Sequence, residues 1–322
     1  YISDRFPTGW FVPVGILWTA LAMGLLGWAA NDPIAVLLVG LAGLGTAIFH
    51  PRAMMAVYFV SGNRLGFGAA VFSTGGNLGF ALGPVVGSFL ILGFGLHATL
   101  GLLAPAALLC LIIFFYRGDY LRHEPAVQKE SSKDFNRALQ NIPWGSLIAV
   151  CLIVTLRSWV YISFLTYLPM FFQAQGIQLK TGSLMLTVFL VGGAVAGLYG
   201  GHLSDKVGRR RVIVVSMLVY PILASLMILC KGNWIWLLAG ASGAALLASF
   251  AVTIVVAQEL MPQFVGLASG LILGLGFGTG GLGTAFSGFL ADTLGLYQVM
   301  WILALAPVLG ALLAVFIRTA RS

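Results

Sequence analysis

Ten long apolar runs separated by short polar connections make up most of the chain. Crossing a bilayer as an α-helix takes about 20 predominantly apolar residues. The runs near 10–30, 33–60, 66–94, 96–116, 143–172, 181–203, 212–230, 234–258, 266–291 and 296–317 all reach about that length. Several exceed it, which predicts tilted or kinked helices. One long polar segment, 117–142, interrupts the series. It sets Arg117, Arg122, Lys129, Lys133 and Arg137 against Asp119, Glu124, Glu130 and Asp134, and reads as a linker between halves with room for a surface helix. The predicted organisation is an N-terminal helical bundle over 1–116, this linker over 117–142, and a six-helix bundle over 143–322.

Composition fixes the class. Of 322 residues, 60% are hydrophobic and only 8% charged, with a mean hydropathy of +1.01. Soluble domains carry about 25% charged residues, so the sequence is that of an all-α, polytopic membrane protein. A net charge of +8 would suit nucleic acid, but the bases gather in loops between apolar spans, where they set orientation in the bilayer. The three cysteines, Cys110, Cys151 and Cys230, fall in or at the ends of apolar runs with neither pairing nor metal-ligand spacing. The nine acids lie mainly in loops, and no cluster of acids, His or Cys marks a catalytic site at the midplane. Neither an enzyme, a resident metal or cofactor, nor a nucleic-acid partner is expected.

The bases are distributed unevenly. Alternate connections place Arg5, Arg64, the five linker bases, Lys206, Arg209, Arg210, Arg211, Arg318 and Arg321 on one side, 13 of the 17 Lys and Arg. The opposite side keeps Lys180 and Lys231, while Arg52 and Arg157 lie inside spans. Short base-rich loops remain cytoplasmic, which predicts a cytoplasmic linker and C-terminus. The halves also repeat: at an offset of 200, Gly66, Gly76, Gly83, Phe89 and Leu90 recur as Gly266, Gly276, Gly283, Phe289 and Leu290.

The densest polar connection, 200–211, reads G-G-H-L-S-D-K-V-G-R-R-R. Gly200 and Gly201 allow a neighbouring helix to approach closely, and Asp205 is placed to face the positive N-terminus of another helix. Ile2-Ser3-Asp4-Arg5-Phe6 repeats the pattern of Leu203-Ser204-Asp205-Lys206-Val207. The connection resembles the cytoplasmic loop signature of the major facilitator superfamily, G-x-L-[AS]-D-[RK]-x-G-[RK]-[RK]. The second copy fits in full; the first lacks its leading glycine and departs again at Pro7-Thr8. That family carries the loop after its second helix and after its eighth. The resemblance implies that the chain opens inside the first loop and that its ten helices, four plus six, stand for twelve.

Within the third span, Gly79, Gly83 and Gly87 recur every four residues, with Pro84 between them. Such glycines make a flat strip on which another helix can pack against backbone, and Pro84 favours a bend. The stretch resembles the antiporter signature G-x-x-x-G-P-x-x-G-G of the same superfamily, with Ser88 in place of the last glycine. Ordinary close packing is the competing reading.

Arg157 is the most informative single residue. It lies about 20 Å along its helix from the basic side, where a charge belongs to a bundle interior or a water-filled cavity. Tyr161 follows one turn later on the same face. A guanidinium there suits a phosphonate, phosphate or carboxylate through paired hydrogen bonds; a structural charge held by helix carbonyls is the competing reading. His50, beside Pro51 and Arg52, has either a proton-exchanging or a packing role, and Arg52 is expected to reach toward the headgroups. Asn77 is a further candidate for the cavity wall or for an interhelical hydrogen bond. Glu259 ends the eighth run near the basic side, where pairing with Arg209 or Arg210 would latch that entrance; a solvated helix-end acid is the alternative. With Asp4, Arg5, Asp205 and Arg209 it completes the expected gate.

Ile48-Phe49-His50-Pro51, Phe72-Ser-Thr-Gly75-Gly76-Asn77, Ala257-Gln-Glu-Leu-Met-Pro262 and 270–292 resemble the fosmidomycin-resistance branch of bacterial efflux proteins. The resemblance spans nearly the whole chain. It implies an inner-membrane transporter, working as a monomer in the lipid bilayer, that exports a phosphonate in exchange for protons with the proton gradient as driving force. Proton-coupled uptake of a metabolite anion would use the same scaffold, and a non-transporting membrane protein is the remaining alternative. The superfamily's fourth helix often carries an Arg shortly before a glycine. No base precedes Gly40, Gly43 or Gly45 here, so the resemblance supplies no proton-coupling residue.

Overall fold

The computed structural model describes residues 10–121, 140 and 142–317. Asp4, Arg5, Arg318, Arg321 and most of the expected linker fall outside them; 117–121 simply continue a helix. The described residues are almost entirely helical: α1 (Phe11–Gly24, prolonged by a 3-10 turn Leu25–Trp28), α2 (Asp32–Val60), α3 (Leu65–Phe94), α4 (Leu103–Leu121), α5 (Trp144–Ala174), α6 (Leu179–Val207), α7 (Arg209–Leu229), α8 (Trp234–Leu247), α9 (Phe250–Leu260), α10 (Val265–Leu294), α11 (Leu296–Leu305) and α12 (Pro307–Ala314). Among the described residues, nine helical stretches are long and apolar enough to cross a membrane, and α3, with 30 residues, is a tenth helix of spanning length.

Local chemistry sets the boundaries. The Asn31 side chain accepts a hydrogen bond from the Ile34 N–H at 3.1 Å, with proline in the first turn, so α2 starts where its free N–H groups find a cap. The repeat seen in the sequence is present in the backbone: α3 and α10 are both 30 residues long and start 200 positions apart. Each ends at a glycine with positive φ, Gly95 at +86° and Gly295 at +94°. A side chain with a Cβ is disfavoured in that conformation.

Two expected spans are broken. The run 234–258 divides at Ala248–Ser249 into α8 and α9, and the last run divides at Ala306, where Pro307 begins α12 without an N–H to donate. The first break has a cause outside its own helix. Ser216 Oγ on α7 lies 2.6 Å from the Ala245 carbonyl and 2.9 Å from Ser249 Oγ, and Arg157 donates to the Ser249 carbonyl. Side chains from neighbouring helices therefore occupy the backbone and hydroxyl groups at the break.

Burial shows where the halves meet. One apolar cluster joins Met54, Ala69 and Ala70 to residues of α5, α7, α9, α10 and α12, while the other lies wholly within 160–304. The shared cluster sits at the end carrying the basic connection between α6 and α7. There α3 runs against α6 so closely that a Cβ on Gly66 would meet the Gly201 carbonyl oxygen, and one on Gly201 would meet the Gly66 carbonyl oxygen and the Ala70 methyl. Gly201→Val is expected to force these helices apart. The checks are a lower melting temperature in detergent and lost transport, at a cost of about 1–3 kcal/mol for overpacking.

The glycine strip of α3 behaves differently from the expectation. A Cβ added at Gly79, Gly83 or Gly87 would meet no atom within 4 Å, and the same holds for Gly274, Gly278 and Gly281 on α10. Among the described residues no helix packs on that strip, because α3 spends its close contacts at its other end, against Gly201. Pro84 lies inside the continuous helix α3. Arg52 is a second correction: it does not reach headgroups but is 1% exposed, enclosed beside Met54 where the halves join.

Candidate functional site

A cavity of about 440 Å³ opens between the halves, walled by residues of α2, α3, α4, α5, α9 and α10. His50, Asn77, Arg157 and Tyr161 all line it. Sequence spacing could put Arg157 and Tyr161 on one helix face, but only the fold brings α2 and α3 opposite them.

Arg157 is 1% exposed, and a guanidinium so enclosed requires partners. Its Nη1 donates to the Ser249 carbonyl at 3.2 Å and to Thr253 Oγ1 at 3.0 Å. Its Cζ stands 4.6 Å from the centre of the Phe250 ring, a distance at which the ring face attracts a cation. All its hydrogen bonds within the described residues leave from Nη1, and Nε and Nη2 make none. Arg157 is thus anchored to a helix break and borders the cavity.

The opposite wall is aromatic. His50 stands edge-to-face with Phe49, Phe72 and Phe277, at centroid separations of 5.0, 6.0 and 6.3 Å. Among the described residues its buried Nδ1 has no hydrogen-bond partner of normal geometry. Phe277 belongs to α10, so this imidazole is held by both halves. Pro51, the next residue, lies within van der Waals reach of a Cβ placed on Gly270.

At the basic end the polar loop forms a bridge. Asp205 Oδ1 accepts the Gly66 N–H at 2.9 Å and Oδ2 the Phe67 N–H at 3.0 Å, so a carboxylate on α6 caps the N-terminus of α3 in the other half. An acid at that position is stabilised by unpaired N–H groups and the helix dipole, by about 1–2 kcal/mol when partly buried. Arg209 Nη1 pairs with the same Oδ1 and donates to Ser204 Oγ at 2.7 Å. Arg209 Nη2 reaches Glu259 Oε1 at 3.1 Å. Of the two arginines considered for Glu259, the geometry selects Arg209. With side-chain exposures of 7% for Arg209 and 9% for Asp205, against 24% for Glu259, the bond to Asp205 is the better shielded and the stronger of the two.

Sequence reasoning passed over two members of this region. Ser204 links Arg209 to the Gly201 carbonyl. Gln258, 1% exposed, donates to Ser269 Oγ at 2.9 Å and to the Met54 carbonyl at 3.4 Å, tying α9 to α2 across the halves. An amide in an otherwise apolar run was the available signal, since intramembrane polar groups face partners rather than lipid.

Comparison with known proteins agrees with this architecture. The family model for the Major Facilitator Superfamily matches residues 1–185 and 150–322. The chain is 29% identical over 317 residues to the fosmidomycin resistance protein of Escherichia coli K12, covering 97% of this chain and 77% of that protein. It is 31% identical over 321 residues to an uncharacterised transporter of the same type from Bacillus subtilis 168, covering 97% and 78%. Among solved structures, the Escherichia coli fucose:proton symporter superposes with a TM-score of 0.75 at 17% identity, over 99% of this chain and 86% of that one. The chain belongs to the Major Facilitator Superfamily and is a multi-pass membrane transporter rather than an enzyme.

Proposed function

We propose that this transporter exports a small organic anion, a phosphonate of the fosmidomycin kind, in exchange for protons. The observation that carries the reading is the cavity itself. One guanidinium and the polar side chains of His50, Ser73, Asn77, Ser158 and Tyr161, drawn from both halves, border a space of about 440 Å³ whose remaining lining is glycine, aliphatic and aromatic. Among the described residues the hydrogen bonds of Arg157 leave from Nη1 alone, so Nε and the second terminal nitrogen can make paired hydrogen bonds to an oxyanion. Tyr161 and Asn77 supply further hydrogen bonds, and the Phe49, Phe72 and Phe277 rings exclude water. Similarity to a fosmidomycin resistance protein over nearly the whole chain supports the cargo class.

Alternating access then needs a closure that can be released. Asp205, Arg209 and Glu259 form it at the basic, cytoplasmic end, with Asp4 and Arg5 as the corresponding pair of the first loop. Substrate sits between bundles that rock about it. The contacts of Gly66 with Gly201 and of Gln258 with Met54 belong to the state closed at this end, and the glycine faces of α3 and α10 give those helices room to shift in the other.

His50 is the proton site in this reading, since imidazole alone among unperturbed side chains changes charge between pH 5 and 8, and His50 lines the cavity. His50→Gln is expected to keep substrate binding within about threefold, roughly 0.65 kcal/mol, while proton-driven accumulation disappears. Flux in vesicles with and without an imposed pH gradient checks this. Accumulation that stays gradient-dependent in the variant would remove His50 as the carrier. Uptake instead of export is distinguished by the same vesicles, through the direction in which a gradient drives the cargo.

A further inference from the structure

Outside the site just described, a groove of about 1030 Å³ lies on the second half. It lies between α6 and α7, with α8 as its floor, and follows from how these three helices pack. Gly192 on α6 meets the backbone of Gly240 on α8, and Gly200 meets that of Ala248, so α6 and α8 touch nearly backbone to backbone. Small residues there keep the floor low, while α7, which follows α6 through the turn at Gly208, forms the other wall.

The groove has one basic end. Its walls are almost wholly apolar, and the hydroxyl of Ser216, which borders it, is already engaged with Ala245 and Ser249. Arg211 lies at the end next to the basic connection, exposed and without a hydrogen bond or ion pair among the described residues. The nearby acids are committed elsewhere, Asp205 and Glu259 both to Arg209. Along α6 the groove borders Val188 through Val207, about 28 Å at 1.5 Å per residue. One leaflet of hydrocarbon is about half of a 30 Å core, so the groove takes a full acyl chain lying beside Arg211.

From these features we infer that the groove between α6 and α7 binds an anionic phospholipid, with one acyl chain on the floor made by α8 and the head-group phosphate on Arg211. A basic pocket between transmembrane helices on the cytoplasmic side is the arrangement that holds such head groups. Arg211 stands two residues from the Arg209 latch, so an occupied groove neutralises charge beside the closure while leaving Arg209 to its carboxylates.

The test uses the full chain in phosphatidylcholine nanodiscs doped with phosphatidylglycerol carrying a photoreactive acyl chain. Labelling is expected to concentrate on α7 and α8 around Val215 and Ala244, and to be competed by unlabelled phosphatidylglycerol but not by phosphatidylcholine. Arg211→Gln is expected to weaken that competition about fivefold, the worth of one base near an anionic head group. Val215→Trp, at a position 58% exposed, fills the groove without entering the core and should abolish labelling there with an unchanged melting temperature. Three results would overturn the inference: labelling spread evenly over all lipid-facing helices, equal competition by phosphatidylcholine, or Arg211→Gln without effect on the preference. Competition by water-soluble glycerol phosphate alone would also overturn it, by showing an anion site that does not need the groove.

Discussion

Arg157→Ala is expected to abolish transport of an anionic cargo while the protein still reaches the membrane. The loss follows from what the guanidinium touches. Truncating one partner of an enclosed, hydrogen-bonded charge pair costs about 2–5 kcal/mol, a loss of roughly thirtyfold to several thousandfold in affinity. The variant also removes the donors to Ser249 and Thr253, and the α8–α9 break has other support from Ser216. Arg157→Lys separates the two duties. A lysine keeps the charge but not the planar fork, so it should retain fold and abundance and bind an oxyanion more weakly than the parent. Resistance in cells, scored against membrane abundance by blotting and against melting temperature, reads all three. Transport unchanged in Arg157→Ala would remove the cargo role and leave the helix break as the residue's whole purpose.

Asp205→Asn is expected to release the closure at the basic end. The carboxylate accepts two N–H groups from the other half and pairs with Arg209. An amide of the same shape keeps one acceptor and loses the charge. Hydrogen bonds to charged groups contribute about 1.5–3 kcal/mol each, so a loss equivalent to one of them moves the equilibrium between open and closed states by about 10- to 150-fold. Spin labels at Asn63→Cys and Lys206→Cys, with the three native cysteines replaced by serine, report the separation of α3 from α6. The variant should shift the distance distribution to longer values; an unchanged distribution would show that apolar contact around Gly66 and Gly201 holds this end by itself. Glu259→Gln should shift it less, since Glu259 is more exposed and touches only Arg209 among the charged groups that line the closure.

What the sequence made legible follows from how strongly lipid constrains a chain. Backbone groups in a bilayer must be satisfied within a helix, so apolar run length alone locates the helices, and the 200-residue offset between Gly66 and Gly266 reappears as the offset between α3 and α10. The loop at 200–211 was equally readable: a carboxylate and a base in a glycine turn have few stable arrangements other than a helix cap and an ion pair. The breaks at Ser249 and Ala306 were less so. The first depends on Arg157 and Ser216, which are distant in sequence, and hydropathy carries no trace of them. The strip of Gly79, Gly83 and Gly87 marked a face without side chains, and spacing alone does not say whether a helix covers it. Gathering His50, Asn77, Arg157 and Tyr161 around one cavity is likewise a property of the packed halves. Each of the four stood out singly as a polar group in an apolar run.

Everything proposed for this transporter requires the inter-bundle cavity to take a small anion and to exchange it for protons. Flux of a labelled phosphonate into inside-out vesicles, acidified within, tests it most directly alongside an uncharged ester of the same compound. Accumulation of the anion that collapses with a protonophore and is absent for the ester is the predicted result; equal movement of both compounds, or movement indifferent to the gradient, would contradict it.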